Sequence, residues 1–395
     1  MDRREFLQGA GALGGLSLLG TAMAAAEEGG SGSRGAMADL LAAMAEVEQT
    51  YLSPAYGVVR PDDVAEGERL LAHVLHTGLQ FWLEADLDRP QFIPYVTDRR
   101  KLLGDNPDAL YYFAAVRGGA RYRIRGQIGA ATFTSFTVEA GSGEGRVATA
   151  SLAELDDGSL EIAADGSFEI QLGGEKPTRG NWLPLPPEAA QVTTRHYYET
   201  PVSVMKDPAA TQVLSIEPVD PPALKPWGGD SEIATRLRHV ANFVRGQVAM
   251  SIPDPAKRPP IPWVSTVPNQ FQSPGQWRSE TGYGNLSAWY AMAPYVLLPG
   301  QVLEISGRFP PCRFANVVLW NRFMQSYDYR QRTVSFNRNQ LAYEDDGSFR
   351  LLLAHEDPGH PNWLDTEGRV SGLVYWRYLL PRETPEGVTT RLLSG

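Results

Sequence analysis

The chain repeats itself. Asp165-Gly166-Ser167-Phe168 returns as Asp346-Gly347-Ser348-Phe349, and Asn181-Trp182-Leu183 returns as Asn362-Trp363-Leu364, both 181 positions on (346 − 165 and 362 − 181). Gly126/Gly307, Phe133/Phe314, Glu175/Glu356 and Tyr197/Tyr378 keep the same offset. An offset held over so many positions identifies two copies of one structural unit. With 395 residues, each copy has the length of an ordinary domain and can bury a core of its own.

What each copy folds into follows from its periodicity. Tyr122-Arg123-Ile124-Arg125-Gly126 alternates at period two, as does the stretch 131–138, and further short runs at 159–163, 167–172 and 192–198 are separated by Gly, Asp and Pro turns. The second copy repeats the pattern at 302–307, 313–320, 348–354 and 372–379. Such strands predict a mainly β chain with accessory helices, built as two tandem jelly-roll-like antiparallel β-sandwich units, each preceded by a helix. The helix of unit one is expected over 61–84, where Leu71, Val74, Leu75, Leu79 and Trp82 form an apolar stripe. That of unit two starts at Asp230-Ser231, with Ile233, Leu237, Val240, Val244 and Val248 as its stripe. A shorter helix is expected over 37–51. The expected organisation is a leader over 1–26, a spacer with the short helix over 27–60, unit one over 61–200, and a proline-rich connector over 201–229. Unit two follows over 230–383, with a tail over 384–395. A second proline-rich stretch, 253–274, has no counterpart in copy one and is expected to line a cleft.

The leader carries Arg3-Arg4 ahead of a short apolar stretch and the small residues Ala22-Met23-Ala24, the pattern of a twin-arginine export signal cleaved between Ala24 and Glu27. The expected destination is the periplasm or the medium, with no stable membrane anchor after signal removal. Cys312 is the single cysteine, so no intrachain disulfide can form. A formal net charge of −10 argues against nucleic acid as a partner. Nine Trp and sixteen Tyr supply rings that fill sandwich cores and stack on flat apolar ligand faces.

Three stretches carry a family likeness. They are Gly104-Asp105-Asn106-Pro107-Asp108-Ala109-Leu110-Tyr111-Tyr112; Gly180-Asn181-Trp182-Leu183-Pro184-Leu185-Pro186 running on to Arg195-His196-Tyr197-Tyr198; and the segment from His355 to Thr366. Together they resemble exported bacterial proteins of the domain of unknown function 1214 family. The resemblance covers most of the chain after Tyr51 and implies a pair of jelly rolls and export. It brings no reaction with it. Copy two departs from the Asn-Trp-Leu-Pro pattern, with Asp365 in place of the proline.

A reaction centre is needed once, whereas a structural plug is needed in every unit, so the repeated Asn-Trp loops read as structure. What copy two has alone is the better guide to chemistry. At the common offset His355 replaces Gly174, Asp357 replaces Lys176, His360 replaces Arg179 and Asp365 replaces Pro184. His355 with Asp357 or Asp365 has the chemistry of a general acid–base pair for a hydrolase or lyase, because imidazole titrates near neutrality and a carboxylate fixes its tautomer. A polar surface turn and a divalent-metal site are the alternatives, the metal less favoured, and no other cofactor is expected. A second distinctive run supplies Trp320, Asn321, Arg322, Tyr327, Tyr329, Asn337 and Arg338. These donors and rings suit a polar ligand with flat apolar faces or, alternatively, ion pairs across the unit interface. With His360, Trp363 and Arg377 they form the expected ligand-contacting set. The chain has no Gly-x-Ser-x-Gly elbow, no phosphate-binding Gly-Lys-Ser/Thr loop and no Cys-x-x-Cys-His site. The expected role is binding, and possible processing, of a small or oligomeric hydroxylated molecule, saccharide-like or an oxidised ring compound. A structural envelope role is the remaining alternative.

Overall fold

The computed structural model describes residues 32–220, 222–223, 226, 228–252, 261–276 and 283–394. The expected leader over 1–26 lies outside them. Three helices are present among the described residues: α1 (Gly32–Tyr51), α2 (Pro61–Gly78), which continues through a wider turn at Leu79–Leu83, and α3 (Asp230–Ser251).

Unit one contains β1 (Ile93–Pro94), β2 (Ala109–Ala115), β3 (Tyr122–Gln127), β4 (Phe133–Ala140), β5 (Ala150–Asp156), β6 (Ser167–Leu172), β7 (Asn181–Leu183), β8 (Ala189–Tyr197) and β9 (Leu214–Pro218). Unit two contains β10 (Gly275–Gln276), β11 (Ala288–Val296), β12 (Gln301–Gly307), β13 (Phe314–Trp320), β14 (Ser335–Asn337), β15 (Phe349–Ala354), β16 (Trp363–Asp365), β17 (Ser371–Leu379) and β18 (Thr389–Ser394). Unit one forms a five-stranded sheet, β1-β2-β8-β4-β5, and a four-stranded sheet, β7-β6-β3-β9. Unit two forms β10-β11-β17-β13-β14 and β16-β15-β12-β18, the same order strand for strand. Even the parallel pairings match: β6 with β7 and β15 with β16.

Each sandwich buries its own core, with Ile124, Phe136, Ile170 and Val192 in unit one and Ile305, Val317, Leu351 and Trp376 in unit two. The segments expected as connector and tail each supply a strand. β9 pairs with β3 and β18 with β12. Their prolines and short length hid two edge strands, which need only one partner.

The helices do not divide between the units. α1, α2 and α3 share one core, in which Leu40, Ala43 and Val47 meet Leu70, Val74, Leu237, Val240 and Val244. Phe81 stacks on Phe113 of β2, with ring centres 4.0 Å apart and planes 5° from parallel. The apolar stripe of α3 is buried as expected, but against α1 and α2 rather than on its own sandwich.

The five-stranded sheets pack on one another through Ala109, Phe133 and Tyr197 of unit one and Ala288, Phe314 and Leu379 of unit two. Register shows these to be equivalent triplets, since Tyr197 lies opposite Ala109 and Phe133, and Leu379 opposite Ala288 and Phe314. Tyr197 is therefore the counterpart of Leu379, not of Tyr378 as the constant offset suggests. The segment between Leu364 and Ser371 is one residue longer than that between Leu183 and Ala189, which moves β17 on by one position. β2 and β11 differ the other way. Asn106 accepts from the Asp108 amide, and Asn285 accepts from the Ser287 amide, an offset of 179 (285 − 106).

Candidate ligand-binding site

Where the two five-stranded sheets face each other, they leave a cavity of about 190 Å³. Its walls are rich in aromatic rings, among them Tyr111 and Tyr197 from unit one, Tyr290, Trp320 and Tyr375 from unit two, and Trp263 from the proline-rich stretch. Trp320 stacks on Tyr375 at 4.3 Å, and Tyr290 lies 5.4 Å from both Trp263 and Tyr375. Two guanidinium groups complete the lining, Arg195 on β8 and Arg377 on β17, which are 6% and 5% exposed.

These arginines are one position in two copies. Arg195 lies opposite Tyr111 and Ser135, while Arg377 lies opposite Tyr290 and Asn316. Neighbouring strands thus place a Tyr and an Arg side by side on the face that each unit turns toward the other. The Arg377 guanidinium lies 4.7 Å from the Tyr375 ring centre and 5.2 Å from that of Trp320, within range of cation–π attraction. Burial raises the phenol pKa values of Tyr111, Tyr290 and Tyr375 well above normal, so the lining offers neutral hydroxyls at ordinary pH.

The segment from Gly104 to Asp108 holds the cavity wall. Arg377 Nη2 donates to the Gly104 carbonyl at 2.7 Å, and Trp320 Nε1 donates to the Asp105 carbonyl at 2.9 Å. The Asp105 carboxylate accepts from the amide and hydroxyl of Ser326. Asp108 is fully buried and accepts from Asn316 at 3.0 Å and Asn337 at 3.1 Å. Gly104 has φ +74°, and a Cβ there would fall 2.6 Å from the Trp320 ring, so no side chain fits. This piece of unit one is bonded into unit two and presents the tryptophan and arginine to the cavity.

Residues 114–201 and 303–383 match the family model described as a protein of unknown function, DUF1214. Both halves of the chain belong to this family. Among solved structures, an uncharacterized protein from Burkholderia cenocepacia superposes with a TM-score of 0.76 at 26% identity, over 91% of this chain and 97% of that one. A protein from Vibrio parahaemolyticus gives a TM-score of 0.47 at 10% identity, over 84% and 98%. No curated protein matches the chain.

The DUF1214 signatures have structural explanations. Asn181 accepts from the Glu161 amide and donates to the carbonyls of Glu161 and Glu169. Asn362 makes the same three bonds to Ala342 and Arg350. Trp182 Nε1 donates to Gly173 and Trp363 Nε1 to Ala354, again equivalent carbonyls.

Of the residues singled out from sequence, Trp320 and Arg377 line the cavity and the others do not. The expected acid–base pair is not assembled. His355 Nδ1 lies 2.6 Å from the Thr366 hydroxyl and Nε2 lies 3.1 Å from the Leu297 carbonyl, which occupies both ring nitrogens. Asp357 is exposed and closes a turn by accepting from the Gly359 amide. Asp365 is buried in an ion pair with Arg332 at 2.7 Å and accepts from the Glu367 amide. His360 accepts from the Asn362 amide through Nδ1. No group of three or more His, Cys, Asp or Glu side chains able to hold a metal occurs among the described residues.

The arginine- and tyrosine-rich run follows the ion-pair alternative. Arg338 grips Glu199 of unit one, and Arg322 bonds Asp63 and the Tyr56 and Gly57 carbonyls at the start of α2. Asn321 caps a tight turn through the amides of Phe323 and Gln325. Asn337 holds Asp108 and the Thr200 carbonyl. Tyr327 is buried against Tyr295, with hydroxyls 2.6 Å apart, and Tyr329 lies under the Lys101 ammonium at 4.0 Å. Sequence reasoning missed Arg195, Tyr111, Tyr290 and Tyr375 as lining, whereas the proline-rich stretch expected to line a cleft does so through Ile261, Trp263 and Val264. Allowing the offset to vary from 179 to 182 would have paired Tyr111 with Tyr290 and Arg195 with Arg377.

Proposed function

We propose that this DUF1214 protein binds a small hydroxylated or oxidised ring compound between its two sandwiches, after export by the twin-arginine route to the periplasm. One observation carries the binding reading: a cavity at the unit interface walled by aromatic rings and reached by two buried arginines from equivalent strands. Concave, largely apolar sites with a few fixed polar groups are the usual form of a small-molecule site. At about 190 Å³ the space suits a single ring better than an oligosaccharide. Trp320 and Arg377, the two sequence candidates that reach it, hold the ligand in this reading.

Saturation-transfer NMR with a panel of hydroxylated single-ring compounds and hexoses tests it. Ring compounds should show transfer, and Met292→Trp, which fills the cavity from its wall, should abolish it without loss of the folded signal. Undiminished transfer in the filled variant would overturn the reading. Export is tested separately: replacing Arg3 and Arg4 by Lys should retain the protein in the cytoplasm, and unchanged export would remove that part.

A further inference from the structure

Arg195 and Arg377 occupy one position of a duplicated fold but have different neighbours. Arg195 Nη1 donates to Thr137 at 2.8 Å and lies 3.5 Å from the Thr193 hydroxyl. Those hydroxyls donate in turn to Glu154 at 3.2 Å and to Glu139 at 3.1 Å. The buried charge of Arg195 is thus relayed to two carboxylates within its own unit.

The equivalents of Thr137, Glu139, Glu154 and Thr193 around Arg377 are Val318, Trp320, Ser335 and Tyr375, as sheet register shows. Both acids and both relays have gone. Arg377 keeps one hydrogen bond, to the Gly104 carbonyl, and lies on two rings. Its Nη1 is buried without a hydrogen-bond partner among the described residues. Asp108, the acid whose charge it feels, is already held by Asn316 and Asn337. A guanidinium does not shed its proton, and an unpaired buried charge is costly. Arg377 lines an aromatic-walled space, and a guanidinium with a donor to spare at such a wall is complementary to an anion on a flat apolar body.

We infer that the cavity selects a small planar carboxylate, which accepts from Arg377 while its ring packs among Trp263, Tyr290, Trp320 and Tyr375. This rests on the cavity being a ligand site. Arg195, already supplied with carboxylates, lines the opposite side without serving as the anion anchor.

The test is calorimetry of the full chain at pH 7 with benzoate and benzamide, which share shape and differ in charge. Benzoate should bind at least tenfold more tightly. Arg377→Gln should level that preference, and Ser335→Glu, which returns one of the missing acids, should weaken benzoate while sparing benzamide. Benzamide binding as tightly as benzoate would overturn the anion selectivity and leave the cavity reading standing. Neither compound binding at millimolar concentration would remove both. Should Arg377→Gln fail to fold, the wild-type ratio and the Ser335→Glu variant still decide.

Discussion

The Asn-Trp loops and the cavity arginines are both present twice, but only the loops have stayed the same. Asn181 and Asn362 bond to matching backbone atoms in the two units. Arg195 is tied to Glu139 and Glu154 through threonines, whereas Arg377 lies against Trp320 and Tyr375 with a donor to spare. Every sandwich of this kind must close its parallel β6–β7 or β15–β16 pairing, so that solution is retained in both. A counterion for a buried arginine can be supplied from outside the chain, so that one is free to diverge.

The comparison can be broken most readily at the loops. Asn181→Ala and Asn362→Ala should each lower unfolding free energy by about 3 kcal/mol in denaturant titration, because a buried amide that makes three hydrogen bonds to the backbone is removed. The two losses should agree within about 1 kcal/mol. A clear difference would show that the loops are not doing the same work.

A second test uses a position at which the halves differ. His196 lies between the Thr134 and Thr194 hydroxyls, and its equivalent by register is Tyr378. Burial pushes the His196 imidazole down from 6.5 to about 3. The native state therefore refuses a proton that the unfolded chain accepts below its own pKa. This contribution to stability is complete above about pH 6.5 and drains as pH falls toward 3, at about 1.4 kcal/mol per pH unit. In His196→Gln the acid limb of the stability–pH curve should be shallower by that amount. An unchanged slope would mean that the imidazole does not remain neutral. The smallest effect is expected at Asp357, exposed in its turn: Asp357→Ala should alter stability by less than about 0.5 kcal/mol and leave benzoate binding as it was.

The duplication, the strands and the structural duty of the Asn-Trp loops were legible because each leaves a local signature: a repeated motif, a period of two, an amide beside an indole. What burial is directed against leaves no such signature. The stripe on α3 announced a buried face, but nothing in Leu237 or Val244 says that α1 is the partner. The loop from His355 to Asp365 misled for a related reason. Its imidazoles and carboxylates are dense in sequence, yet His355, Asp357, His360 and Asp365 are each bonded to a nearby hydroxyl, amide or arginine. The cavity stayed hidden because a single extra residue before Ser371 sets Arg195 against Trp376 in a rigid comparison, so that the twin arginines never line up.

The way Gly104 to Asp108 of unit one is bonded into unit two has a practical consequence. Neither half should serve as a minimal fragment. Expressed alone, unit one would present the Gly104 and Asp105 carbonyls and the Asp108 carboxylate to water, and unit two would lose the carbonyls that orient Arg377 and Trp320. The chamber belongs to the seam, and its specificity can be retuned only by changes that both halves of the gene product tolerate.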